Sequence, residues 1–263
     1  IQRRHQKIIE EAPSPLLDAR TREKMGADAV RLARAVNYTN AGTVEFIVDR
    51  DGRYFLLEMN TRLQVEHPVT EMTLGLDLVY WQVRIAEGHP LTLEQDNLTP
   101  RGHALEARIY AEDPENNFLP AAGKLLLLRE PSGPGIRNDC GVRSGMEVTS
   151  FYDPMISKLV TWGETRERAL ARMRQALRDY CILGLRTNRE YLIDILDLSA
   201  FAEGKLHTGF LDQHLPAWHP GRTRKHEALL AAAACPSRKA VAAGPGVAAV
   251  EQDPWHTVGH WGR

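Results

Sequence analysis

Two runs rich in β-branched and aromatic residues, 43–48 and 53–60, flank Asp49-Arg50-Asp51-Gly52, and this arrangement constrains the chain more than any other stretch. Asp-Gly between two such runs is a short-range signal for a β-hairpin. Side chains alternate along a strand. Thr43, Glu45 and Ile47 therefore share a face of the first strand, and Tyr54, Leu56, Glu58 and Asn60 share a face of the second. With a two- or four-residue loop, Glu45 pairs with Leu56, and Glu58 is its diagonal neighbour. Diagonal partners lie about 7–8 Å apart, close enough for two carboxylates to share bound cations.

The residues that follow strengthen that reading. Glu45, Glu58 and the Asn60 amide supply hard oxygen ligands suited to Mg²⁺, an ion that keeps waters and shares phosphate oxygens. Arg62 offers a planar fork for an oxyanion. Gln64, Val65 and Glu66 then present an amide, a backbone N–H and a carboxylate within three residues. That set suits a small anion that must be held and deprotonated. Two strand carboxylates alone would read as a solvated hairpin face. The apolar residues around Glu58, the adjacent Asn-x-Arg and the following Gln-x-Glu-His favour a site.

The remainder of the chain reads as α+β. Residues 1–12 are a strand or extended segment, and Pro13 and Pro15 mark a loop. Met25, Ala29, Leu32 and Val36 recur at helical spacing over residues 18–36, with Asp18 or Thr21 as cap. Residues 61–71 show no clean period and read as a functional loop. A helix follows over 77–87, then a connection over 91–101 that divides two domains. Residues 103–110 alternate, with Glu106, Arg108 and Tyr110 facing one way and Leu105, Ala107 and Ile109 the other. Further strands are expected at 124–129 and 157–162, and helices at 164–181 and 189–198, the latter capped by Asn188. Ala-rich residues 228–234 suggest a brief helix, 242–250 a linker, and 255–263 the first strand of a further domain. Gly244-Pro245-Gly246 lacks the strand–helix context of a dinucleotide loop.

Composition excludes several classes. A chain of 263 residues accommodates two modest domains. A formal net charge of −1 gives no basic excess for nucleic acid. No apolar run approaches the roughly 20 residues that cross a bilayer. Cys140, Cys181 and Cys235 are too scattered for a disulfide framework or a CxxC zinc site, which fits a reducing compartment: cytoplasm, or the mitochondrial matrix if the source is eukaryotic. The C-terminal His219, His226, His256 and His260 have no ligand spacing. The opening Ile1-Gln2-Arg3-Arg4-His5 is too charged for a signal peptide and reads as the start of a fragment.

The run Glu58-Met59-Asn60-Thr61-Arg62-Leu63-Gln64-Val65-Glu66-His67-Pro68-Val69-Thr70-Glu71 resembles the signature of biotin carboxylases within the ATP-grasp superfamily. Residues 2–7 with 10–13, 101–108 with 111–114, 118–120 and 152–159 agree with the same family, in its order, over about residues 1–215. The resemblance implies the C-terminal part of an ATP-grasp domain (1–100), a biotin carboxylase C-terminal α+β domain (101–217), and a linker with the start of a further domain (218–263). It implies formation of carboxyphosphate from ATP and bicarbonate, and carboxylation of biotin at N1′. By motif position Glu45, Glu58 and Asn60 match ligands of Mg²⁺ or Mn²⁺. Gln2 and His5 match ATP-site residues, and Lys7 lies near the phosphates. Arg62, Gln64 and Val65 match the bicarbonate cradle, Glu66 the general base, and Arg108 the residue that stabilises the biotin enolate. Asp153 and Lys158 are read as building the fold or a subunit contact.

The resemblance further implies biotin carried on a segment or protein outside this chain, a biotin carrier domain, a carboxyltransferase subunit, and a homodimer formed through the C-terminal domain. Neither nucleic acid nor membrane is an expected partner. The region beyond residue 215 is similar to fused acyl-CoA carboxylase α-subunits, with the 3-methylcrotonyl-CoA type preferred. Other ATP-grasp ligases such as carbamoyl-phosphate synthetases, and a non-catalytic subunit-pairing module, are the competing readings. No stretch matches the family's glycine-rich lid or the lysines that grip ATP. Purified residues 1–263 are therefore expected to show no bicarbonate-dependent ATP hydrolysis, and robust turnover of the chain alone would overturn that expectation.

Overall fold

Four antiparallel strands, in the spatial order β7-β8-β6-β3, form the sheet on which the rest of the chain is arranged. They are β3 (Ile9–Ala12), β6 (His103–Tyr110), β7 (Ile136–Cys140) and β8 (Met155–Gly163). The computed structural model describes residues 1–221, and Ile1–Pro220 form one unit. The expectations for residues 228–234, 242–250 and 255–263 lie outside the described residues.

The elements before β6 follow the sequence closely, with two corrections. A small hairpin, β1 (Gln2–Arg3) and β2 (Gln6–Lys7), turns through Arg4 and His5, both at positive φ, in the manner of a two-residue primed turn. Helix α1 (Ala19–Ala35) starts at Asp18, whose carboxylate accepts from Thr21 N. The hairpin β4 (Thr43–Val48) and β5 (Tyr54–Asn60) forms as expected, but not in the expected register. Glu45 pairs directly with Glu58, and Phe46 with Leu56, because the ladder shifts between Glu45 and Phe46. The extra residue of a bulge turns the predicted diagonal pair into a direct one. The second correction lies in residues 61–71. His67–Leu74 is a helix, α2, that the sequence reading treated as loop. Pro68 looks like a breaker, yet it sits in the first turn, where its missing N–H leaves no bond unmade. Gly75 closes α2 at φ 68°, and Asp77 caps α3 (Leu78–Ala86) through Tyr80 N.

The sheet is covered on both sides. On one face Leu105, Ala107, Ile109 and Leu159 pack with Leu170, Met173 and Leu177 of α4 (Arg166–Asp179) and with Leu192 and Leu196 of α5 (Arg189–Asp197). On the other, Ala104 and Val160 meet Val69 of α2, flanked by Ala12, Met72 and Trp162. All eight residues of β6 are therefore buried, including Glu106 and Arg108. Alternation alone would have left one face to solvent; α2 closes it. The chain enters β6 through Gly102, at φ 67°, where a Cβ would lie 2.4 Å from the Gly163 carbonyl oxygen. Only glycine fits that approach.

The C-terminal half departs from expectation in its detail. The strand expected over 124–129 is two short pieces, Gly123–Lys124 and Leu127–Arg129. Strand β7 was not anticipated. The helix expected to reach Cys181 stops at Asp179, and Cys181–Leu183 pairs with Leu127–Arg129. Asn188 precedes α5 but makes no cap bond. Its buried amide instead accepts from Tyr110 N at 2.8 Å and donates to the Arg108 carbonyl at 3.0 Å. It clamps the end of β6 that carries Arg108. Removing it leaves a backbone N–H and a carbonyl buried without partners. Asn188→Ala is expected to destabilise the chain by about 2 kcal/mol or more in urea unfolding, whereas loss of a helix cap of the usual sort would cost about 1 kcal/mol.

Candidate functional site

The site is a line of alternating charges running from the hairpin onto the sheet. At its outer end the Glu45 and Glu58 carboxylates stand on directly paired residues of β4 and β5. The Asn60 amide donates to Glu45 Oε1 at 3.1 Å and to Glu58 Oε1 at 3.0 Å. Lys7, at the end of β2, reaches Glu45 Oε1 at 2.8 Å and Glu66 Oε1 at 2.7 Å. The other oxygen of Glu66 receives Arg108 Nη2 at 2.9 Å. Arg108 Nε in turn donates to Glu10 Oε1 at 2.6 Å. Glu66 is the residue immediately before α2, so the helix that seals the sheet also sets this carboxylate over β6.

The charges shift one another. Burial would raise the Glu66 carboxyl, but the Lys7 hydrogen bond and the Lys7 and Arg108 charges outweigh it and hold it below the usual carboxylate range. Burial disfavours the Lys7 ammonium, yet Glu45 and Glu66 raise it above the ordinary lysine value. Arg108 is likewise raised, Glu10 and Glu66 outweighing its burial. Glu66 is thus an ionised carboxylate held between two permanent cations.

Glu45, Glu58 and Asn60 fit a hard divalent cation. The carboxylates lie side by side, and turning the Asn60 amide over presents its Oδ1 between them. Among the described residues no group of three or more His, Cys, Asp or Glu side chains is arranged to hold a metal. Two carboxylates and an amide are too few for a dedicated protein cage. They match the way Mg²⁺ is held by one or two carboxylates with the remaining places left to water and phosphate oxygens.

The remaining expected residues are placed as follows. Arg62 Nη1 donates to Gln64 Oε1 at 3.3 Å, and the Val65 carbonyl accepts from Lys158 Nζ at 3.1 Å, so the residues expected to hold bicarbonate lie just ahead of Glu66. Gln2 and His5 are not part of this line. They border a separate cleft of about 490 Å³ together with Phe118, Tyr191 and Leu211. Asp153 accepts from Met155 N and shapes the turn into β8. Lys158, set aside in the sequence as structural, contacts both Val65 and, at 3.4 Å, Asp139. Glu10 and Glu106 escaped notice as site residues. The signal was available: Glu106 shares the alternation face of Arg108, but nothing local says that β3 will pair beside it.

Residues 106–213 match the family profile "Biotin carboxylase C-terminal domain", and residues 1–94 match "Carbamoyl-phosphate synthase L chain, ATP binding domain". Over 215 residues, 81% of the chain, it is 54% identical to the mitochondrial methylcrotonoyl-CoA carboxylase subunit alpha of Rattus norvegicus, covering 30% of that protein. It is 53% identical to biotin carboxylase 2 of Bacillus subtilis, over 82% of the chain and 48% of that protein. The biotin carboxylase domain dimer of Hydrogenobacter thermophilus 2-oxoglutarate carboxylase, solved with MgADP, ADP and bicarbonate, superposes with a TM-score of 0.82 at 43% identity. That match covers 84% of the chain and 49% of the solved domain. The chain spans about half or less of the length of these relatives. Its hairpin and sheet are those of an ATP-grasp ATP-binding region followed by a biotin carboxylase C-terminal domain.

Proposed function

We propose that these residues serve the ATP-dependent carboxylation of biotin with bicarbonate, through carboxyphosphate, in an acyl-CoA carboxylase α-subunit. The observation that carries the reading is Glu66, ionised and gripped by Lys7 on one oxygen and Arg108 on the other. A base in that setting stays charged at neutral pH and accepts a proton when the transition state forms. Arg62, Gln64 and the Val65 backbone orient bicarbonate beside it. Loss of the bicarbonate proton to Glu66 prepares the anion to attack the γ-phosphorus of ATP, with ADP as the leaving group; the carboxyphosphate formed parts into CO₂ and phosphate, and the phosphate takes the N1′ proton of biotin. Glu45, Glu58 and Asn60 would hold Mg²⁺ or Mn²⁺, which supplies charge neutralisation at the phosphates. Lys7 adds a fixed positive charge at the same place. Arg108, which cannot give up its proton, stabilises negative charge on the ureido oxygen of biotin as N1′ attacks CO₂. Gln2 and His5, which border the separate cleft, are assigned to the nucleotide by motif position alone.

The division at residues 100 and 217, pairing of copies through residues 101–217, and work with a biotin carrier and a carboxyltransferase are parts of the same proposal. The 54% identity to a methylcrotonoyl-CoA carboxylase subunit supports the 3-methylcrotonyl-CoA type. The carbamoyl-phosphate reading is weaker. Its profile covers residues 1–94 alone, whereas Arg108 and Lys158 lie in the region matched to biotin carboxylases.

The test is a chimera in which this chain follows the preceding residues of the Bacillus subtilis relative. Free biotin is expected to stimulate ATP turnover and to become labelled from radioactive bicarbonate. Glu66→Gln should lower labelling by about 10²-fold or more, and Arg108→Ala by about 10²–10³-fold. ATP turnover indifferent to biotin would reject the reading. Lys7→Met removes the cation that does most to lower the Glu66 carboxyl. In the 263-residue chain, the Glu66 carboxyl resonance is expected to titrate at higher pH in that variant, and an unmoved midpoint would show that Lys7 does not hold Glu66 ionised.

A further inference from the structure

Behind Arg108 the sheet holds two more carboxyls that the reaction above does not use. Glu10 of β3 and Glu106 of β6 are directly paired across the strands, so both project onto the face covered by α2. The Glu106 side chain is fully buried, and the Glu10 side chain is 9% exposed. Glu10 spends Oε1 on Arg108 Nε, while its Oε2 is buried without a partner. Among the described residues neither oxygen of Glu106 has a hydrogen-bond partner. Two residues along, a backbone bond from Arg108 N to the Ile8 carbonyl at 3.0 Å carries the same pairing past the end of β3.

Two carboxylates in such a place cannot both be ionised. The cations nearby are too few to neutralise both. Arg108 is already shared between Glu10 and Glu66, and Lys158 of β8 is turned to the Val65 carbonyl and Asp139 of β7. The Ile1 ammonium faces Glu10 from the start of the chain but donates to the Ile9 carbonyl. On α2, Glu71 is taken by Arg137, and His67 Nδ1 lies against the Gln64 carbonyl. Tyr110, further along β6, adds no positive charge. Glu11, His103 and Arg166 form their own cluster from neighbouring positions.

We propose that Glu10 and Glu106 hold one proton between them, with Glu106 as the neutral acid and Glu10 as the charged positioning residue that aims Arg108 at Glu66. This rests on the role given to Arg108 above, but the pair is a property of the folded chain itself. With one proton in place, Arg108 sees two carboxylates, Glu10 behind and Glu66 ahead, and its fork lies between them. If the proton leaves, a second charge appears beside Glu10 and draws the guanidinium back from Glu66. The pair therefore sets an alkaline limit on the working geometry. Both carboxyls are raised, and their order fits the assignment: burial and then the Glu10 charge push Glu106 up to about 9, while burial, opposed by Arg108, pushes Glu10 only to about 7, so Glu106 is the one that keeps its proton as pH rises through that interval.

The 263-residue chain tests this without any assay of turnover. Infrared spectra at neutral pH should show the carbonyl stretch of a buried protonated carboxyl, which disappears as pH rises past about 9. Glu106→Gln should remove that band. The Nε–H resonance of Arg108, assigned by its loss in Arg108→Lys, should step at the same pH in the unmutated chain. It should lose that step in Glu106→Gln, where an amide stands in for the neutral acid. Glu10→Gln keeps Glu106 but removes the neighbouring charge, so the band should titrate at lower pH. That second variant decides the matter should Glu106→Gln fail to fold. A spectrum with no protonated carboxyl at neutral pH overturns the proposal. So does an Arg108 step that persists in Glu106→Gln, or a band midpoint that does not move in Glu10→Gln.

Discussion

Everything in this structure leans on a strand that is buried on both faces and still carries an arginine. β6 packs Leu105, Ala107 and Ile109 against α4 and α5, and it holds Glu106 and Arg108 under α2. Withdrawing a guanidinium from water costs several kcal/mol unless its hydrogen bonds are met. Here Glu10 comes from the neighbouring strand and Glu66 from the chain entering α2. Those two partners tie three separate stretches of sequence together. Asn188 holds the backbone of the same strand from the far side.

Lys7 links the hairpin to that core: it spans Glu45 and Glu66, so the carboxylate pair of the hairpin and the carboxylate ahead of α2 share one ammonium. Such a bridge has a chemical consequence. Each charge in the line is compensated by its neighbours, so a substrate anion or a cation entering the site exchanges partners with residues already in place. Preorganised charges of this kind reorient little when a transition state forms, which is where their advantage over water lies.

Much of the fold could be read from local pattern. The Asp49–Gly52 turn, the Asp18 cap and the helical stripe of α4 are short-range signals, and each acted where expected. The errors have one character. Residues 67–71 open α2 rather than continue a loop, because they show no clean period of their own and a first turn is not visible before the helix is known. The register of Glu45 against Glu58 depended on a bulge that no turn residue announces. Asn188 looked like a cap but found its partners 78 and 80 residues away.

The sequence by itself determined which chemical groups stand together along this chain. Paired carboxylates, an amide, a guanidinium and a base follow one another from Glu45 to Glu66, and side-chain type and spacing suffice to name ligands and candidates. Only the tertiary structure decided how those groups are charged and aimed. Glu66 stays ionised because Lys7 and Arg108 converge on it from two other strands. Glu10 and Glu106 crowd each other because β3 pairs beside β6, and α2 shuts out the water that would have screened them. Ionisation depends on burial and on neighbours within a few ångströms, and those distances exist only once the chain has folded.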